Sequence, residues 1–177
     1  MINNRINTLV SKFKKHNIDG YIIPKNDEFF SEYSANDRLK TISNFSGSAG
    51  YSIILKKKNY LFVDGRYTIQ AKKEAGKNFQ ILDFHKIINC NLFKNLSIGF
   101  DPKFFTSIQI KKFFYKNNKV KSIESNLIDQ IYKCKVKLNK PFFSLKNKVV
   151  GENYKTKIIK IRKYLNKNKS DYLFVTA

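Results

Sequence analysis

Histidine and cysteine are scarce: His16, His85, Cys90 and Cys134 are the whole supply in 177 residues. Four such residues, none at ligand spacing, exclude a disulfide framework and a closed zinc site. Two unpaired thiols fit a reducing cytoplasm. Tryptophan is absent and acidic residues number 13 against 35 basic ones, for a formal charge of +22. That charge is almost all lysine, since Arg5, Arg38, Arg66 and Arg162 are the only arginines. Nucleic-acid readers favour arginine, whose planar fork binds bases and phosphates through two bonds at once. With abundant Asn and Ile, the profile fits A/T-rich codons, and the charge reads as a scattered surface giving weak, salt-sensitive attraction. No apolar run approaches a membrane span, and MINNRINTLV carries no apolar stretch with a cleavage site. The expectation is a cytoplasmic chain with neither nucleic acid nor membrane as partner.

What is present is a hydrophobic content of 42% and 16 phenylalanines, enough to bury a core. Ile2, Ile6, Leu9, Val10 and Phe13 share one helical face, and Asn17 and Gly20 end that helix. Tyr21–Pro24 reads as a short buried strand. Asp37 is placed to cap a helix reaching Phe45. Tyr51–Leu55 and Tyr60–Val63 read as a hairpin across the polar Lys56–Asn59 turn. Tyr67–Ala75 suits a helix closed by Gly76, and Phe79–Leu82 a strand. Ser97–Phe100 is another strand before the Asp101-Pro102 turn, Ile110, Phe113 and Phe114 mark a helix, and Val120–Ile123 a last strand. Helices alternating with strands, interrupted by one hairpin, predict an α/β domain with a mixed β-sheet flanked by helices.

From Lys133 to Lys148 the periodicity lapses around Pro141. Tyr154, Ile158, Ile161 and Leu165 then mark a second amphipathic helix, and Tyr172–Val175 a buried strand. These expectations divide the chain into a domain over 1–133, a linker over 134–150 and the incomplete beginning of a second domain over 151–177. A helix and one strand cannot bury their apolar faces alone, so the chain reads as a fragment.

Sites are sparse. Ser46-Gly47-Ser48-Ala49-Gly50 lacks the Lys-Ser/Thr of a P-loop and opens onto a strand rather than a helix, which points to a tight packing turn. Asp64-Gly65-Arg66-Tyr67 follows a strand and starts a helix that Asp64 can cap. Arg66 then stands where α/β sheets collect ligands, or pairs with Asp64 or Glu32 to lock its loop. His16 suits the carboxyl end of its helix, and His85 follows a strand with no neighbouring ligand. No G-x-S-x-G elbow exists. No complete catalytic constellation and no metal site are expected in this chain.

DEFFSEYSANDRLKTISNFSGSAG followed by LFVDGRYTIQA resembles the N-terminal domain of aminopeptidase P, the Xaa-Pro aminopeptidase of the creatinase/pita-bread family. The likeness continues through GFDP, NLIDQIY, VVGENYKTKIIKIRKYL and SDYLFVTA. Departures are Asn44 where the family usually has glycine, Ser46 where threonine is common, and Lys135 with its neighbours in place of an Arg-Pro.

The resemblance implies a creatinase N-terminal domain of ribonuclease H-like type, followed by the start of a second, similar domain. It implies a catalytic pita-bread domain outside this chain, carrying two divalent metals, manganese, on Asp, Asp, His, Glu and Glu. A metallopeptidase of this kind releases the residue before proline. The partners implied are the chain's own C-terminal catalytic domain, a peptide with proline at its second position, and a second copy in a homodimer. Arg66, Asp64, Tyr67 and Arg38 become the candidates for a substrate-side or interdomain role, with Arg66 facing outward. A stand-alone peptide- or protein-binding module without peptidase activity is the other reading.

Overall fold

The structure, a computed structural model, describes residues 2–31, 34–88, 91–114, 118–133, 141 and 143–175. Cys90, Cys134 and Glu32 lie outside these. The chain divides into two compact units, Met1–Val136 and Lys137–Ala177.

In the first unit, helices α1 (Ile2–Ser11) and α2 (Phe13–His16) follow one another with a tighter turn at Lys12, whose N–H donates to the Leu9 carbonyl. Asn17 ends α2 in the left-handed region at φ 50°, a conformation Asn tolerates better than most residues. Next come β1 (Gly20–Pro24), α3 (Arg38–Ser43), β2 (Gly50–Leu55), β3 (Asn59–Val63), α4 (Thr68–Ala75) and β4 (Gln80–Asp83). Strand β5 (Ser97–Phe100), α5 (Ser107–Phe114), β6 (Lys119–Ser122) and α6 (Leu127–Ile131) complete it. The hairpin forms as expected, with Tyr51 opposite Phe62 and Ile53 opposite Tyr60. Strands β4 and β6 each sit one residue from the expected span, because their ends are set by parallel neighbours rather than by their own apolar residues. The short α6 was not anticipated; five residues are too few for a periodicity to stand out.

The six strands lie in the order β4-β3-β2-β1-β5-β6. Strand β2 alone runs against the other five. This is the mixed sheet flanked by helices that alternation and hairpin predict. Side chains alternate across it. Tyr60 and Phe62 join one buried cluster with Phe104, Phe113 and Phe114, while Leu61 and Val63 join the other with Leu9, Phe13, Leu39 and Ala71. The two-sided core explains why β1, β2 and β3 read as nearly continuous apolar runs.

The second unit contains α7 (Asn147–Val150), which falls within the span expected as linker, and α8 (Tyr154–Lys167). Asn153 caps α8 by accepting the Lys155 N–H. The strand expected at Tyr172–Val175 does not form, and Tyr172 and Phe174 are 90% and 88% exposed. A strand needs a hydrogen-bonded neighbour, and this unit contains no other strand among the described residues.

Candidate functional site

Because β2 alone is reversed, the loops after β1, β3, β4, β5 and β6 meet at one end of the sheet, with the turn entering β2. All four candidate residues stand there. They form two clusters.

The first is built on the Asp64 turn. Asp64 Oδ1 accepts the Arg66 backbone N–H at 3.0 Å and the Arg66 Nε–H at 2.9 Å. One carboxylate oxygen thus caps the 3-10 turn Gly65–Tyr67 and holds the guanidinium. The Arg66 side-chain bond, its backbone N–H and the nearby His85 keep Asp64 below the usual carboxylate range. The guanidinium carbon also lies 5.7 Å from the Tyr67 ring centre. Arg66 remains 76% exposed, so its own carboxylate partner orients it without hiding it. Tyr67 meets the Ser48 hydroxyl at 2.9 Å and packs its ring edge-on against buried Phe45.

The second cluster is centred on Arg38. Its Nε and Nη2 reach Asp129 at 2.9 and 2.8 Å, and its guanidinium carbon lies 4.6 Å from the Phe104 ring centre. Asn36 donates to the same carboxylate at 2.8 Å. Arg38 is therefore a brace between α3 and α6, with a side chain only 12% exposed. Nearby, buried Lys25 pairs with Asp37, which also caps α3 by accepting the Lys40 N–H.

The small-residue loop between the clusters is a packing device. A Cβ on Gly47 would lie 2.2 Å from the Phe45 ring, and one on Gly50 would lie 2.9 Å from the Phe62 carbonyl oxygen. Asn44 ends α3 at φ 65°, the conformation that a glycine at this position would also adopt freely. Glu74, overlooked in the sequence, fixes the loop from α4. Its carboxylate takes the Ser46 N–H and hydroxyl, both at 2.8 Å, and the Gln70 amide at 3.1 Å. Partial burial raises the Glu74 pKa, yet these three bonds outweigh it and the net shift is downward. The Gln70/Glu74 spacing of one helical turn was the only signal available. Asp129 gave none, being 91 positions from its partner.

Exposed His85 donates its backbone N–H to Asp83, and half-buried His16 closes α2. Among the described residues no group of three His, Cys, Asp or Glu side chains could hold a metal ion. No helix there is long and apolar enough to cross a membrane.

Comparison with known proteins places these features in a family. Residues 5–131 match the creatinase/prolidase N-terminal domain. The chain is 31% identical to a probable Xaa-Pro aminopeptidase P of Coprinopsis cinerea, over 92% of this chain and 29% of the fungal protein. It is 29% identical to Xaa-Pro aminopeptidase 1 of Dictyostelium discoideum, over 99% of this chain and 32% of that one. The chain thus spans about a third of the length of these relatives. In fold it is similar to the X-prolyl aminopeptidase of Caenorhabditis elegans, described as a cytosolic enzyme with a di-nuclear active site. That match has a TM-score of 0.73 at 24% identity and covers 97% of this chain and 32% of the nematode chain. The N-terminal domain of peptidase PepQ from Mycobacterium tuberculosis matches with a TM-score of 0.56 at 16% identity, over 73% of this chain and 98% of that domain. With the six-stranded mixed sheet and the Asp64–Arg66 turn inside the matched span, this chain belongs to the creatinase/prolidase N-terminal domain family.

Proposed function

We propose that this chain is the non-catalytic N-terminal region of a cytoplasmic Xaa-Pro aminopeptidase, a metallopeptidase that releases the residue preceding proline. The observation carrying this reading is the match to Xaa-Pro aminopeptidases over 92–99% of the chain, against about a third of their length. Catalysis belongs to a C-terminal domain beyond it, where two divalent metals, manganese, would supply Lewis-acid chemistry to the scissile carbonyl when bound.

This chain's own contribution is a rim. The Asp64 turn stiffens Arg66 and Tyr67 at the carboxyl end of the sheet, where they help shape the substrate entrance or brace the catalytic domain. Arg38 stiffens the same end from beneath. Residues 1–133 act as the first domain and 134–150 as a linker. Residues 151–177 begin a second, similar domain, whose remaining strands would cover the exposed Ile158, Ile159 and Ile161 of α8. Assembly as a homodimer belongs to the same reading.

Two preparations test it: the 177-residue chain and the product of the longest reading frame that contains it. With manganese and a peptide bearing proline at its second position, the longer product should release the first residue and the 177-residue chain should not. Release by the short chain overturns the non-catalytic role. A longer product without such activity overturns the peptidase reading and leaves a stand-alone binding module, which the two-sided core of the first unit also supports.

A further inference from the structure

The opposite, amino-terminal end of the first unit's sheet carries a feature that the peptidase reading does not use. An open groove of about 380 Å³ runs between the turn joining β2 to β3 and the loop leading into β5. Its floor is apolar, made by Leu55 and by the Tyr60 and Phe93 rings, whose centres are 6.0 Å apart. Leu92 stands 42% exposed on one lip. Lys56, Lys57 and Lys58 form the other.

Both lips are held in place. The Leu55 N–H donates to the Lys58 carbonyl at 2.9 Å, closing the lysine turn. The Asn118 side chain accepts the Leu96 N–H at 3.1 Å and donates to the Phe93 carbonyl at 3.3 Å, fixing the facing loop. Lys56 is engaged by Asp19 at 3.0 Å. Lys57 and Lys58 have no ion-pair partner among the described residues. An apolar slot beside two uncompensated cations is complementary to an apolar side chain flanked by carboxylates. A volume of this size accepts one or two side chains rather than a whole domain face. A second copy of this +22 chain is a poor occupant, because like charge opposes its approach.

We propose that this groove binds an acidic peptide segment that inserts a large apolar side chain between Leu92 and Tyr60 and sets its carboxylates on Lys57 and Lys58. The proposal is independent of any peptidase activity. Its probe is a fluorescein-labelled Glu-Asp-Leu-Phe-Asp-Glu peptide, titrated with the 177-residue chain and followed by anisotropy in about 0.15 M salt, where diffuse attraction is largely screened. Lys57→Glu with Lys58→Glu should weaken binding by about tenfold or more, and replacing the peptide's Leu-Phe with Ser-Ser should do the same. Lys72→Glu with Lys73→Glu changes the net charge equally from α4, which packs on the other face of the sheet, and should change binding by less than about twofold. Equal losses from the two lysine pairs would reduce the effect to overall charge and overturn the proposal. So would an unchanged affinity for the Ser-Ser peptide, or no binding by the unaltered chain.

Discussion

Arg38 grips Asp129 through Nε and Nη2 across 91 positions of sequence, at 2.9 and 2.8 Å. The contact ties the first turn of α3 to α6, and the guanidinium face covers Phe104 after β5. Three segments distant in sequence therefore depend on one side chain. Among the described residues, Arg38→Ala would leave Asp129 with only its Asn36 side-chain partner, and it would uncover the Phe104 ring. The expected loss is about 2–3 kcal/mol, read as a lower urea midpoint at unchanged m-value. Arg38→Lys keeps the charge but loses the planar fork and should recover no more than about half of it. Full recovery by lysine would show that charge alone holds α3 to α6.

Glu74 gives the fold a pH dependence of known sign. Its folded pKa lies below the unfolded value of about 4.3, so its stabilisation is present above that value and fades as pH falls through the folded one. Melting temperature should therefore fall faster with acidification in the natural chain than in Glu74→Gln, which cannot titrate there. The two curves should converge at low pH. Parallel curves from pH 7 to pH 3 would mean that the Ser46 contacts do not stabilise the carboxylate.

Gly47→Ala tests the packing role of the small-residue loop. The added methyl would meet a Phe45 ring that is fully buried and has nowhere to yield. We expect a loss of about 1–3 kcal/mol from overpacking, with no gain or loss of phosphate affinity. A neutral effect on melting would show that the loop can move away from Phe45.

Arg66→Ala separates scaffold from function. The Asp64–Arg66 pair is exposed, and such pairs contribute little to stability, so the melting temperature of the 177-residue chain should hardly change. If the longer product has the proposed peptidase activity, the same change should lower its kcat/KM by about tenfold, the size of effect expected from a lost positioning contact. An early-melting variant with normal turnover would assign Arg66 to its loop alone.

Local chemistry was legible in the sequence. Asp37 and Asp64 were readable as caps because an Asx cap spans two or three residues, and both bonds form. The hairpin was equally plain, since the polar Lys56–Asn59 turn separates two apolar runs that pair antiparallel. Arg66 kept two readings in the sequence: facing a ligand, or paired with Asp64 or Glu32. The structure makes the Asp64 pair while leaving the side chain mostly exposed, so the two are not exclusive.

What the sequence determined by itself was whatever depends on neighbours a few positions apart: the period of each apolar face, the caps, the turn residues and the lack of a local metal or nucleophile motif. Tertiary structure alone decided the partners. Asp129 for Arg38, Glu74 for Ser46 and Tyr67 for Ser48 meet only because chain reversals bring separate elements to one sheet end. Tertiary structure also decided that Tyr172–Val175, apolar and strand-like in composition, forms no strand here. A helix satisfies its backbone within its own segment, so α8 forms on local information. A strand satisfies its backbone only against another strand, and no local pattern can supply one.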